Sequence, residues 1–189
     1  MPTYIALTID DLDAELKKQN TALANYADYT TRRARAYNSV LAQYAETLAE
    51  ADDAFAKKNV YATPLTTGTA KIATTTGDIY VPASLPADFR RVAGDAILVS
   101  KAASADFCNV PRMTWASIVA SGSSQTAFAF WEDGGSIEIY DKDGANFDAS
   151  SSVSFEYYRL LDATQTTGTA LDIKQEDFPS IVSSVLGLM

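Results

Sequence analysis

AFAFWEDGGSIEIYDKDGANFDASSSVSFEYYRL, residues 127–160, is the stretch whose reading decides the fold. Phe128 and Phe130 stand two apart before Glu132-Asp133-Gly134-Gly135, and Ile137 and Ile139 stand two apart after it. Period-two apolar positions on both sides of a short acid-glycine turn predict an antiparallel hairpin. A third strand, Val153–Tyr158, is expected beyond the loop DKDGANFD. Working outward, the chain from Val60 to about Tyr158 is rich in Thr, Ser, Val, Ile and aromatics, with Gly and Asp at intervals. That composition favours short antiparallel strands, and further ones are expected at Lys71–Ala73, Asp78–Val81, Ala96–Val99 and Thr114–Val119. Alternation with one polar face suits a sheet covering a core on one side. Leu85–Val92, with Pro86 near its start, reads as a turn or a single helical turn.

Upstream of Val60 the pattern changes. Thr8–Gln19 begins with acids and ends with Lys17 and Lys18, which complements a helix dipole at both ends, and Ile9, Leu12 and Leu16 supply one apolar face. From Thr21 to Asn59, Leu23, Ala27, Thr30, Ala34, Tyr37, Leu41, Tyr44, Leu48, Ala51 and Phe55 follow alternating steps of four and three. This repeat predicts a helix packed along its length; unbroken, it would run ~55 Å. After Glu176-Asp177-Phe178-Pro179 the run SIVSSVLGLM predicts a short final helix, with Asp177 as its cap and Ile181, Val182, Val185, Leu186 and Met189 as its apolar side. The expected fold is α+β: a helical part of long helices over 1–60, an antiparallel β-sandwich or barrel-like domain over 61–175, and a C-terminal helix over 176–189 packing back on the helical part. Tyr37, Leu41, Tyr44, Leu48, Phe55, Ile181, Val185 and Leu186 are the residues expected to form an interface with other protein surfaces.

Charge and composition narrow the function. The 189 residues carry 15 basic and 24 acidic side chains, a net charge of −9. Residues 1–60 hold 9 acids and 7 bases, and residues 61–189 hold 15 acids and 8 bases. A chain this acidic is a poor direct ligand for nucleic-acid phosphates. The N-terminus has neither a basic n-region nor a long apolar run, and no window reaches the ~20 apolar residues of a membrane span. A soluble chain made in the cytoplasm is expected, with no membrane partner. There is no histidine and a single cysteine, Cys108. Ser-His-Asp and Cys-His catalysis are thereby impossible, as are an intrachain disulfide and a multi-thiolate metal site. Phosphate-cradling glycine motifs are missing as well.

Weaker signals favour bland readings. Asp141-Lys142-Asp143-Gly144-Ala145-Asn146-Phe147-Asp148 has oxygen ligands for Ca²⁺, but Gly stands fourth rather than sixth and Ser152 replaces the bidentate acid, so a solvated hairpin loop is expected. Cys108, with no base to pair with, reads as structural. Arg32, Arg33 and Arg35 near Asp28 read as a solvated helix face with i,i+4 partners. Tyr26, Tyr29, Tyr37 and Tyr44, on or beside the seam, read as core packing at a partly wet edge. The echo of Thr66–Ala70 in Thr166–Ala170 reads as two similar edge loops rather than a repeat. No catalytic residue, metal or cofactor is expected.

The order of parts adds a resemblance. Leu85–Phe89 (Leu-Pro-Ala-Asp-Phe), Ile139–Asp141 (Ile-Tyr-Asp), Tyr157–Arg159 (Tyr-Tyr-Arg) and Asp177–Pro179 (Asp-Phe-Pro) follow a helical first third in that sequence. This arrangement resembles the head-to-tail adaptor (connector, or tail tubular protein A-like) proteins of short-tailed phages. The resemblance implies a virion structural protein of the neck or tail. It would form a ring, usually of twelve copies, below the portal protein and above the tail nozzle, with DNA only passing through the channel. Such adaptors commonly continue into a longer C-terminal segment that docks on the portal, whereas this sequence stops at Met189, so a shorter contact, or one made by the helices, would take its place. Two other readings stand beside it. One is a β-sandwich module binding carbohydrate or protein on a helical stalk, with Trp115 or Trp131 as the stacking face. The other is a carboxylate-only enzyme, for which no acids pair in the sequence.

Overall fold

A computed structural model describes residues 6–57, 60–68, 77–102, 106–120, 127–133 and 135–189. The first elements are α1 (Ile9–Gln19), α2 (Tyr29–Glu50), β1 (Tyr61–Thr67), β2 (Asp78–Pro82), β3 (Phe89–Val92), β4 (Ala96–Ser100) and β5 (Phe107–Pro111). After them come α3 (Trp115–Ala120), β6 (Phe128–Asp133), β7 (Ser136–Asp141), β8 (Ser152–Phe155), β9 (Tyr157–Arg159) and α4 (Phe178–Leu188). The chain is α+β and divides into a helical unit, residues 1–56 with 160–189, and a β unit, residues 57–159. Among the described residues no helix is long and apolar enough to cross a membrane. The expected strand at Lys71–Ala73 lies outside the described residues.

In the helical unit α1 forms where the charge pattern places it. Thr8 and Asp11 make a reciprocal capping box: the Thr8 backbone N–H donates to Asp11 Oδ2 at 2.7 Å, and the Asp11 N–H donates to Thr8 Oγ1 at 3.4 Å. Ile9, Leu12 and Leu16 are buried. The heptad pattern does not continue as one rod. Asn20 ends α1 and its side chain caps a 3₁₀ turn at Thr21–Asn25, accepting from the Ala22 N–H at 3.1 Å. Residues 24–28 are exposed, so no packing holds that stretch in a helix. At the other end Asp52 takes φ 53°, and Asp53 Oδ1 accepts from the Phe55 N–H at 2.8 Å in a local turn. The 22 residues of α2 therefore span about 33 Å rather than the full length of the repeat.

The 160–175 stretch belongs to this unit and not to the β domain, which corrects the expected boundary. Leu161, Leu171 and Ile173 are buried, and Ala170 bridges Thr8 with the Ile9 N–H donating to Thr169 O at 3.1 Å. A 3₁₀ turn, Gln175–Asp177, leads into α4. The final helix is as expected, but the Asp177 side chain makes no cap hydrogen bond.

The β unit carries a seven-stranded antiparallel sheet in the order β5-β4-β8-β1-β2-β7-β6. β1 turns the corner: Tyr61–Pro64 pair with β8, and Leu65–Thr67 pair with β2. The two ends of the sheet approach each other, with Arg112 bridging Phe130 and the Met113 N–H donating to Phe130 O at 2.8 Å, so the sheet is a nearly closed barrel. Leu65, Val99, Val110, Phe130, Ile137, Ile139, Phe147 and Val153 fill its interior. The predicted hairpin is β6 and β7, paired from Phe128↔Asp141 to Asp133↔Ser136.

Three departures have physical causes. Thr114–Val119, expected as a strand, is the site of α3: Thr114 Oγ1 accepts from the Ser117 N–H at 3.2 Å as a cap, and Ile118 and Trp115 join a second cluster with Ile79, Ala129, Trp131 and Tyr140. Part of the barrel's outer face is therefore covered, and β7 is buried on both sides from Ile137 to Asp141 instead of presenting a polar face. Leu85–Val92 contains the expected turn, with the Phe89 N–H donating to Pro86 O at 2.9 Å, but then continues as β3. The third strand splits at Glu156, so that β8 stays in the barrel while β9 pairs with β3 in a separate two-stranded ribbon.

Candidate functional site

The eight side chains expected at an interface are mostly spent inside the helical unit. Tyr37, Leu41, Leu48, Ile181 and Val185 are at most 5% exposed, which leaves them no area to offer a neighbour. Tyr44, Phe55 and Leu186 are half-buried. This corrects the expectation of a shared seam: the greasy ridge of α2 is covered by the chain's own α4 and by residues 160–177. Tyr44 holds the cover in place. Its hydroxyl donates to Asp177 Oδ2 at 2.7 Å and accepts from the Lys174 N–H at 3.2 Å, while the Lys174 ammonium pairs with Asp53. Burial and the Asp177 bond push the Tyr44 hydroxyl well above its ordinary range. The arginine run divides. Arg32 makes the exposed i,i+4 pair with Asp28 at 2.7 Å, whereas Arg33 is buried and reaches Asp13 at 2.6 Å, where the Tyr29 hydroxyl also donates at 2.8 Å.

In the β unit the most built feature is the β3–β9 ribbon, in which Phe89 pairs with Arg159 and Val92 with Tyr157. The Tyr157 hydroxyl donates to Asp88 Oδ1 at 2.9 Å; burial and that bond push it up to about 12. Phe89 packs on Tyr157 and Phe155 at ring separations of 5.8 and 5.9 Å. Thus Leu85–Phe89 and Tyr157–Arg159, singled out by resemblance alone, meet in one ribbon. Arg112 staples the ribbon to the barrel: its Nη2 donates to Val92 O at 2.9 Å and Gly94 O at 3.1 Å, and its Nη1 pairs with Glu132. The other Glu132 oxygen accepts from the Val92 N–H at 2.6 Å. Beside this staple lies an open hollow of about 340 Å³ lined by Arg91, Gly94, Asp95, Arg112 and Tyr158, with the Arg91 guanidinium 5.1 Å above the Tyr158 ring. Sequence reasoning missed the staple because Glu132 lies next to a turn and Arg112 lies far from it; no spacing rule joins them.

The acidic loop is folded in on itself. Asp141 is wholly buried and its carboxylate accepts from the Asn146 N–H at 2.8 Å, Asn146 Nδ2 at 2.7 Å and the Phe147 N–H at 3.1 Å. Asp148 likewise accepts from the Ser150 hydroxyl at 2.6 Å and from the N–H groups of Ser150 and Ser151, which together hold its carboxyl below the usual range. Among the described residues no group of three His, Cys, Asp or Glu is placed to hold a metal ion. Cys108 is buried, its thiol donates to Val99 O at 3.3 Å, and burial raises it above its ordinary value. Trp131 is 5% exposed and lies 4.6 Å from the half-buried Trp115 ring, so it is not the stacking face that the carbohydrate-module reading requires.

The apolar surface that remains open lies elsewhere. On the β unit Val60, Leu98 and Phe107 are 62%, 47% and 57% exposed. Leu98 and Val60 border a groove of about 270 Å³ with Ala93, Ala96 and Ser154. On the helical unit Tyr26, Leu160 and Leu188 are exposed. No family model matches the sequence, and no curated protein matches it.

Proposed function

We propose that this chain is a virion structural protein, a head-to-tail adaptor that forms an oligomeric ring between portal and tail. The observation that carries the reading is the β3–β9 ribbon. Two short motifs about seventy residues apart, chosen for their order in the sequence, are hydrogen-bonded neighbours through Phe89↔Arg159 and through Tyr157 to Asp88. A motif pair that builds one local structure is a stronger mark of shared architecture than either motif alone. The remaining two, Ile139–Asp141 and Asp177–Pro179, fall on β7 and at the start of α4.

With the α2 seam spent internally, the copy-to-copy contacts of such a ring fall to the exposed apolar side chains, chiefly Leu98 and Phe107 on the outside of the barrel. A ring is a heterologous, closing assembly, so it needs complementary patches and no catalytic centre. The protein would act in the neck of the virion after synthesis in the host cytoplasm, with the portal and the tail nozzle as partners. Mass photometry and cryo-EM of the chain mixed with the portal protein of the same virion test the reading. A ring on the portal is expected, and Leu98→Asp with Phe107→Asp is expected to abolish it while leaving the circular dichroism unchanged. A chain that stays monomeric and ignores the portal would overturn it.

A further inference from the structure

We propose that the contact between copies is a knob in a groove, with Phe107 of one copy seated in the Val60–Leu98 groove of the next; this rests on the ring reading above and names the two halves of its interface. Phe107 is the one exposed phenylalanine among the described residues. It stands outside the barrel at the start of β5, where Cys108 and Val110 take the buried positions of the alternation. The groove opens on the same wall and is lined by Ala96 and Leu98 of β4, Ser154 of β8, and Val60, Ala93 and Glu156. Its size suits one ring: a cavity of about 150 Å³ takes up benzene, and this groove, which is open on one side, measures about 270 Å³. A copy does not fill its own groove. Phe107 is level with Ser100, whereas the groove runs from Leu98 the other way, toward Ala96, Glu156 and Val60. Ala96 lies four residues from Ser100 along β4, roughly 13 Å at the rise of a strand.

Charge selects a second copy as the occupant. At −9 per chain, two copies repel each other unless they meet where acids are scarce or balanced. Phe107 is flanked by one base and one acid: the Lys101 N–H donates to Asp106 O at 2.9 Å across the strand ends. The groove is flanked in the same way, with the Lys57 ammonium 3.0 Å from Glu156. Between the two features the outward-facing Asn109, Ser152, Ser154 and Ala62 carry no charge. A basic partner would be drawn to the acidic remainder of the surface, whereas a like-charged copy meets no excess of its own sign on this wall, and the core of an interface is where charged side chains are scarcest. The β2–β7–β6 part of the wall is unavailable, because Trp115 and Ile118 of α3 already cover it. Knob and groove are unlike features carried by every copy, so the contact is heterologous and repeats from copy to copy, as a ring requires.

Two variants that each spoil one half of the contact test it. Phe107→Ala removes the knob, and Ala96→Trp fills the groove from its own wall; Ser154→Trp fills it from the other side should Ala96→Trp fail to melt like the parent. Sedimentation velocity of the full chain without portal judges the contact. The parent is expected to associate beyond a dimer as its concentration rises, and each variant alone is expected to stay monomeric. An equimolar mixture of the two is expected to stop at twice the chain mass, because it holds one intact knob and one intact groove. Association of the groove-filled variant like the parent, a parent that stays monomeric, or a mixture of folded variants that forms no dimer overturns the knob and groove. The same samples on the portal judge the ring reading separately. A ring formed there by the groove-filled variant overturns the contact and leaves the ring reading standing. Self-association that follows the expected pattern, with no ring on the portal from the parent, overturns the ring reading and leaves the contact.

Discussion

Asp141 is a carboxylate without exposed surface, and its stability comes from three donors aimed at it by the loop that follows. Hydrogen bonds to a charged acceptor are worth about 1.5–3 kcal/mol each, and stranding buried N–H groups forfeits that and more. Asp141→Ala is expected to cost about 3 kcal/mol in urea unfolding. Asp141→Asn should cost less, because the Asn146 amide can turn over and offer its oxygen. Two hydroxyls add an alkaline limit. Tyr37 and Tyr157 are raised to about 12 in the fold, from an ordinary value near ~10. A group whose folded value is raised stabilises fully below its unfolded value and loses that contribution as the pH climbs through the folded one. Stability is therefore expected to fall between about pH 10 and pH 12. Tyr37→Phe should flatten that fall in thermal melts at matched ionic strength without lowering stability at pH 7, since the hydroxyl it removes bonds to nothing. Asp141 was visible in the sequence as one acid among several. That it is buried while Asp143 and Asp148 of the same loop are not depends on how the loop closes, which spacing does not encode.

Elements were legible where one local signal was enough. The acids-first, lysines-last pattern of α1, the β6–β7 turn and the Pro179 helix start each declared themselves within a few residues. The misread segments are those in which a tertiary partner decides. Thr114–Val119 is rich enough in β-branched and aromatic residues to read as a strand, yet Trp131 and Tyr140 on the barrel's outer face reward the helix that points Trp115 and Ile118 the same way. Trp115→Ala is expected to cost about 2 kcal/mol and to shift the Trp131 emission to the red as its cover leaves, measured by fluorescence during denaturation. The α2 repeat was real, but it said only that a ridge would be buried, not by whom. Period alone cannot distinguish a neighbour's helix from the chain's own α4. At this scale Tyr44→Phe is expected to cost about 1–2 kcal/mol, because one hydroxyl both donates to Asp177 and accepts from the Lys174 N–H.

Across the whole chain, the β unit is one continuous stretch whose two ends meet. Lys57 bridges Tyr158 and its ammonium lies 3.0 Å from Glu156. Residues 57–159 expressed alone are therefore expected to fold, with a cooperative melt and dispersed amide resonances; a molten, dye-binding product would contradict this. The helical unit has no such independence, since α1 and α2 lack their cover until residues 160–189 join them. This asymmetry sets a timetable on the ribosome. The barrel emerges entire and can settle while translation continues, whereas α1 and α2 wait with Leu41 and Leu48 bare until residues 160–189 arrive, a delay of roughly 5–30 seconds at about 5–20 residues per second. A nascent chain of this design spends its riskiest moments with α1 and α2 uncovered, and any holdase that protects it should find its target on those two helices.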